Sequence, residues 1–92
     1  MEILLKAEGN KGTFFVKQDN KTLAEMTYVW AGTERITIDH TAVYAVLKGK
    51  GIGKQMVVKA VEFAREKSIK IIPLCPFAKS VFEKEKDFND VL

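Results

Sequence analysis

The spacing of apolar residues changes character once along this 92-residue chain, and that change limits the folds available to it. Over the first forty-odd residues, apolar and polar side chains alternate with the period of half-buried strands. Turn-forming residues interrupt the alternation at positions 9–12, 19–20 and 31–33, which favours hairpin connections. The predicted strands are Ile3–Ala7, Thr13–Lys17, Leu23–Trp30 and Arg35–Val43.

After this region the apolar residues recur every three or four positions, which predicts a helix from Ile52 through Lys67. Ser68 ends the helix, and the apolar run Ile69 to Leu74 predicts a short buried strand. Pro76 opens a second helix running to about Lys84. An antiparallel meander followed by helix, strand and helix is typical of an α+β or mixed α/β domain. The tail, Asp87 to Leu92, is predicted to form a turn and a packed end.

Composition predicts a single domain spanning 1–92, because 47% apolar and 29% charged residues are ordinary for a folded soluble chain of this size. The absence of a run of roughly 18 apolar residues argues against a membrane helix, and a cytoplasmic location is expected. One cysteine and one histidine make an internal disulfide and a structural zinc site implausible, so no metal site is predicted. The net charge of +3 suits several classes of anionic partner, so the choice among them depends on where the basic residues lie in the chain.

Three glycines stand at the junction between the strand-like Thr41 to Leu47 and the first helix. The junction reads Lys48, Gly49, Lys50, Gly51, Ile52, Gly53, Lys54. Glycines let the backbone approach a ligand, and the free N–H groups and dipole at a helix start favour an anion. A flexible turn with solvated lysines is the alternative interpretation. The spacing fits neither a P-loop nor a dinucleotide-binding fingerprint, because Gln55 follows Lys54 and the third glycine comes one residue early.

The segment Lys48 to Gly53 resembles the acetyl-CoA signature of the GNAT superfamily, with Lys48 in the place of the usual Arg or Gln. The stretches Ile38 to Val43 and Ile71 to Phe77 extend the resemblance to the compact YjdJ-type N-acetyltransferase domain. This resemblance implies a four-stranded antiparallel meander, a cofactor-binding helix, a splayed fifth strand and a C-terminal helix. It also implies that pantetheine runs between the fourth and fifth strands.

The resemblance implies a set of residues that bind acetyl-CoA or coenzyme A. They are Thr41, Val43, Lys48, Gly49, Lys50, Gly51, Ile52, Gly53, Lys54, Cys75, Pro76 and Phe77. Larger GNAT enzymes carry two extra helices and two extra strands that shape the acceptor site, and this chain lacks both. The resemblance therefore implies an N-acetyltransferase whose amine acceptor is unidentified and large, such as a protein or peptide.

Two residues are candidates for catalysis. Strand alternation puts His40 on the apolar face with Ile36 and Ile38, where it is either a hydrogen-bonded core histidine or a general base. Cys75 precedes Pro76, so it either caps the second helix, whose dipole favours thiolate, or is a buried inert thiol. The resemblance places a His-Thr pair and a cysteine here beside the cofactor's sulfur, which implies an acetyl-cysteine intermediate as an alternative to direct attack by the amine.

Two functions of different classes follow from these observations. One is acetyl transfer to an amine, and the other is a binding module that holds coenzyme A without acyl transfer.

Other notable residues are assigned to structure. Tyr28 and Trp30 share a strand face with Met26 and are assigned to core packing. The mixed charges from Lys79 to Asp90 indicate a solvated helix face. The sequence argues against nucleic-acid binding, because neither a concentration of basic residues on one face nor a set of aromatic residues for stacking is evident in it.

Overall fold

The computed structural model describes residues 2–92 and contains a five-stranded sheet with two α-helices. The elements are β1 (Leu4–Glu8), β2 (Lys11–Gln18), β3 (Lys21–Trp30), β4 (Arg35–Val43), α1 (Ile52–Lys67), β5 (Lys70–Pro73) and α2 (Pro76–Lys84). Two 3-10 segments, Ala45–Leu47 and Lys86–Val91, follow β4 and α2. The predicted α+β class, the meander and both helices are confirmed. The predicted strand-like stretch from Thr41 to Leu47 is wrong in its second half, since β4 ends at Val43.

Strand order in the sheet follows chain order, β1-β2-β3-β4-β5. The first four strands are antiparallel, and β5 runs parallel to β4. The connection from β4 to β5 is made by α1, as a parallel pair requires a crossover. Because β4 and β5 are parallel, the residues that follow both strands emerge at the same end of the sheet.

Local sequence accounts for the ends of several elements. Asp19 and Asn20 both have positive φ values, 52° and 65°, which is the conformation of a two-residue hairpin turn between β2 and β3. Ser68 ends α1 in the left-handed conformation, with its N–H directed at the carbonyls of Ala64 and Arg65. Pro76 occupies the first position of α2, where its missing N–H costs nothing.

The core lies between one face of the sheet and the two helices. From the strands it takes Phe14, Val16, Ala24, Met26, Tyr28, Ile36, Ile38 and Ile71, and from the helices Met56, Val57, Ala60, Val61, Ala64, Ala78, Val81 and Phe82. Phe63 of α1 contacts Tyr28 and Trp30 through its ring, with centroid distances of 5.5 and 6.4 Å. The prediction that Met26, Tyr28 and Trp30 serve core packing is therefore confirmed.

A β-bulge in β4 overturns the predicted orientation of His40. Tyr28 pairs with Ile38 and Thr27 pairs with His40, so Asp39 has no partner on β3. Beyond this extra residue the alternation is reversed, as expected for a bulge. His40 lies opposite Thr27 on the outer face and is exposed, so its placement on the apolar face was wrong. Asp39 points the same way, accepting a hydrogen bond from Thr27 Oγ1 at 2.6 Å.

The same bulge turns the next two alternate residues toward the core. Thr41 lies opposite Met26 and Val43 lies opposite Ala24, and both of these partners are buried. Directly opposed residues in an antiparallel pair share a face, so Thr41 and Val43 face the helices.

Within residues 2–92, no helix has the length and apolar character needed to cross a bilayer.

Candidate functional site

The glycine loop joins the 3-10 segment after β4 to the start of α1. Gly49 and Gly51 have φ values of 79° and 71°, in the left-handed region that side-chain-bearing residues rarely adopt. Gly51 is the N-cap of α1 and, being a glycine, makes no side-chain capping hydrogen bond. The first N–H groups of a helix have no partner within it. The loop therefore presents uncapped N–H donors where a ligand anion can approach.

A pocket of about 480 Å³ opens beside this loop. One wall is formed by the end of β4, the loop and the first turn of α1, and the other wall is formed by α2. The lining residues are Val43, Leu47, Lys48, Gly49, Gly51, Ile52, Gly53, Lys54, Phe77, Ser80, Val81, Lys84 and Glu85. A Cβ placed on Gly51 would meet no atom within 4 Å, so the space above this residue is open.

Phe77 and Gly53 bring the two walls of the pocket into contact. A Cβ on Gly53 would lie 2.5 Å from the Phe77 ring, well inside van der Waals contact. Glycine at this position therefore lets the ring lie directly over the first turn of α1. Phe77 is 40% exposed, so the ring also presents apolar surface to the pocket.

The charges in the pocket are mixed. Lys48, Lys54 and Lys84 supply cations, and Glu85 supplies a carboxylate. Glu85 Oε1 lies 2.6 Å from Lys54 Nζ, an ion pair that connects the first turn of α1 to the C-cap of α2. One of the three lysines is therefore already paired across the pocket.

The second cluster of candidate residues lies where β4 and β5 separate. Pairing of the two strands ends at Ile38 and Pro73, and the N–H groups of Leu74 and Cys75 both donate to the Ile38 carbonyl. The β4 bulge follows immediately, so the two strands diverge from there. Because of this divergence β5 is splayed away from β4, as the resemblance implied.

Cys75 and Thr41 face each other across this divergence. Cys75 Sγ lies 3.2 Å from Thr41 Oγ1 and accepts a hydrogen bond from the Ala78 N–H at 3.3 Å. The cysteine is thus the side-chain N-cap of α2, which is one of the two alternatives that the sequence left open. Cys75 is 6% exposed, and its thiol is not part of a disulfide.

The two clusters are connected along the chain. Val43 and Phe77 line the pocket, and each lies two residues beyond one member of the Thr41–Cys75 pair. Eight of the twelve predicted cofactor-binding residues line the pocket, whereas Thr41, Lys50, Cys75 and Pro76 do not. His40 lies apart from them on the outer face of the sheet. The roles predicted for all these residues, His40 and Cys75 included, stay predictions.

Sequence reasoning missed the wall of the pocket formed by α2. Ser80, Lys84 and Glu85 line it, whereas the mixed charges of this segment were interpreted as a solvated face. A signal was present, because Phe77, Val81 and Lys84 are spaced by four and three residues and lie on one side of a helix. Nothing in the sequence indicated that this side faces the glycine loop.

Comparison with known proteins identifies the family. The family model of the GCN5-related N-acetyl-transferases matches residues 13–91 of this chain. The chain is 43% identical to a GCN5-like protein from Staphylococcus aureus whose structure was determined by NMR, with a TM-score of 0.73. The match covers 98% of this chain and 85% of that one. No curated protein matches the sequence at a significant level.

More distant structures share the fold alone. A ribosomal-protein-alanine N-acetyltransferase from Brucella melitensis is 17% identical with a TM-score of 0.67, over 84% of this chain and 62% of that one. A GNAT family acetyltransferase from Elizabethkingia anophelis with acetyl-CoA bound is 16% identical with a TM-score of 0.63, over 82% of this chain and 52% of that one. This chain thus spans little more than half the length of these larger proteins. The family match over most of the chain decides the identity: the protein belongs to the GCN5-related N-acetyltransferase family.

Proposed function

We propose that this protein binds acetyl-CoA at the glycine loop and transfers the acetyl group to an amine. The observation that carries the proposal is the uncapped start of α1, which opens onto a 480 Å³ pocket lined by three lysines. Helix N–H groups, the helix dipole and lysine ammonium groups all favour a pyrophosphate. The open space above Gly51 gives that anion room to approach the backbone.

The rest of the ligand is proposed to run from the loop toward the divergence of β4 and β5. Val43 and Phe77 give this path apolar walls, which suit the uncharged pantetheine arm. The path leads to Thr41 and Cys75, so the thioester end is assigned to their vicinity. Backbone groups are also available there, because β4 and β5 no longer pair beyond Ile38.

Two chemical routes use this arrangement differently. Acetyl-CoA supplies an activated thioester, and in the direct route Thr41 and Cys75 only position it for attack by the amine. In the covalent route, Cys75 Sγ bonds to the acetyl carbon and the bond between that carbon and the coenzyme A sulfur breaks. The proton of Cys75 then passes to the departing sulfur, and an amine later takes the acetyl group from Cys75 and regenerates the thiol.

The acceptor is proposed to be an amine on a protein or peptide. The pocket of about 480 Å³ has neither Thr41 nor Cys75 among its lining residues, so it serves the coenzyme and not an acceptor at the thiol. Tyr44 and Leu74, which directly follow β4 and β5, are 54% and 57% exposed. Exposed apolar side chains beside a reactive centre suit contact with a macromolecular surface better than with a small polar amine.

Calorimetric titration with coenzyme A, combined with the intact mass of the protein after incubation with acetyl-CoA, tests the proposal. Binding together with acetyl transfer to an amine or lysine peptide is expected. Cys75→Ala separates the routes: retained binding with lost transfer supports the covalent route, and unchanged transfer supports the direct one. Binding without any transfer would identify a coenzyme A-binding module instead. No binding of coenzyme A would refute the assignment of the pocket.

A further inference from the structure

The carboxylate of Glu85 is an unexpected group in a pocket assigned to phosphates. Glu85 is the C-cap of α2, and its backbone N–H donates to the Val81 carbonyl at 2.8 Å. Its Oε1 contacts Lys54 Nζ at 2.6 Å, and both residues line the pocket. Lys54 belongs to the first turn of α1, where the unpaired N–H groups lie. A carboxylate therefore stands at the place where an anionic ligand is expected.

Two effects of this carboxylate oppose the binding of a phosphate. It holds the ammonium group of Lys54, so that the ligand must share or displace an existing partner. It also adds a negative charge that repels the ligand directly. The Lys54 and Glu85 side chains are 55% and 34% exposed, and an ion pair so accessible to water is weak enough to be exchanged for a phosphate.

We infer that Glu85 competes with the phosphates of the ligand for Lys54 and so lowers the affinity of the pocket for coenzyme A. This inference rests on the proposed function of the pocket. It assigns Glu85 as an affinity-determining residue that contacts no reacting atom. A weakened grip on the phosphates favours release of coenzyme A after each turnover, because spent and loaded coenzyme carry the same phosphates.

The test compares coenzyme A binding by the full chain and by Glu85→Gln. The substitution removes the charge and keeps the size and the backbone hydrogen bond. Glu85→Gln removes the repulsion between the carboxylate and the phosphates. For two unit charges about 4 Å apart in water, the loss of this repulsion predicts an affinity for coenzyme A that is about fivefold higher in the variant at low salt. At about 1 M salt, where the screening length falls to roughly 3 Å, the difference is expected to shrink below about twofold.

Glu62→Gln is the matched control, because it removes the same charge from an exposed ion pair outside the pocket. Glu62 Oε1 lies 3.5 Å from Lys59 Nζ, one turn away on α1. The control is expected to bind coenzyme A as the unmodified chain does. Equal tightening in both variants would assign the effect to net charge and would overturn the inference.

A second arm tests competition through Lys54. In the Lys54→Met background, Glu85→Gln removes only the direct repulsion, so its gain in affinity should be smaller than in the presence of Lys54. Equal gains in both backgrounds would overturn competition for Lys54. If the unmodified chain binds coenzyme A and Glu85→Gln binds no tighter, only this inference fails. If the unmodified chain does not bind, the proposed function fails with it.

Discussion

Replacing Gly51 by aspartate places a negative charge in the open space above the uncapped start of α1. Gly51 has a φ of 71°, which costs an ordinary L-residue about 1–2 kcal/mol and costs Asp or Asn less. No atom lies within 4 Å of the added Cβ, so there is no steric cost to add. A loss of about 1 kcal/mol lowers the melting temperature of a domain this size by roughly 4–8 °C, so the variant is expected to fold.

The effect of Gly51→Asp on ligand binding should be much larger than its effect on stability. A carboxylate about 4 Å from a phosphate is unfavourable by roughly 1–4 kcal/mol, depending on the effective dielectric constant. This corresponds to an affinity for coenzyme A that is roughly fivefold to a thousandfold lower. Calorimetric titration measures it, with circular dichroism as the check of folding.

Gly51→Asn is the matched control, since asparagine has nearly the same shape and tolerates the same φ without the charge. It should retain more affinity than the aspartate variant. A folded Gly51→Asp protein that binds coenzyme A as tightly as the unmodified chain would show that the anion site lies elsewhere.

Three further outcomes are expected. Lys50→Ala should weaken coenzyme A binding at low salt and have little effect at high salt, because this lysine supplies charge at a solvated loop; titration at two salt concentrations measures it. Gly12→Ala should destabilise the fold by about 1–3 kcal/mol in denaturant unfolding, because its Cβ would lie 2.1 Å from the ring of Tyr28, which is 1% exposed and would have to shift within the core. The hydrogen bond and charge of Arg65 lower the pKa of Asp90 below its ordinary value of 3.8. The stability from this contact is therefore present above pH 3.8 and is lost as the pH falls through the folded-state pKa. Asp90→Asn should accordingly reduce the dependence of unfolding on acid pH.

The sequence was most informative where local chemistry determines structure. The bounds of α1 and α2 were predicted at Ile52, Lys67, Pro76 and about Lys84, and the structure has the same bounds. Apolar spacing and helix-end residues act within a few positions of one another, so they can be interpreted without knowledge of the fold. Strand ends were less accurate: β2 and β3 each begin two residues before their predicted starts, because pairing between strands sets their length.

The orientation of His40 and the second wall of the pocket depend on contacts between distant segments. The bulge at Asp39 arises in the pairing of β4 with β3, and no local pattern in β4 marks it. The approach of Glu85 to Lys54 spans 31 positions and depends on how α2 packs beside α1. The mixed charges of α2 were visible in the sequence, but the side of the helix that faces the pocket was not.

The bulge in β4 also determines which changes of chain length this strand can accept. Removing residue 39 would place His40 directly after Ile38, so that simple alternation would keep every side chain from His40 to Val43 on its present face. Regular pairing with Asp39 retained would instead put His40 opposite Met26, so that the imidazole would turn toward the buried side of the sheet and Thr41 would turn away from Cys75. Exchanging the side chain at position 39 removes only the hydrogen bond from Thr27. The strand is therefore expected to accept either substitution or deletion at this position, because the pairing of His40 with Thr27 and of Thr41 with Met26 sets the orientation of the site.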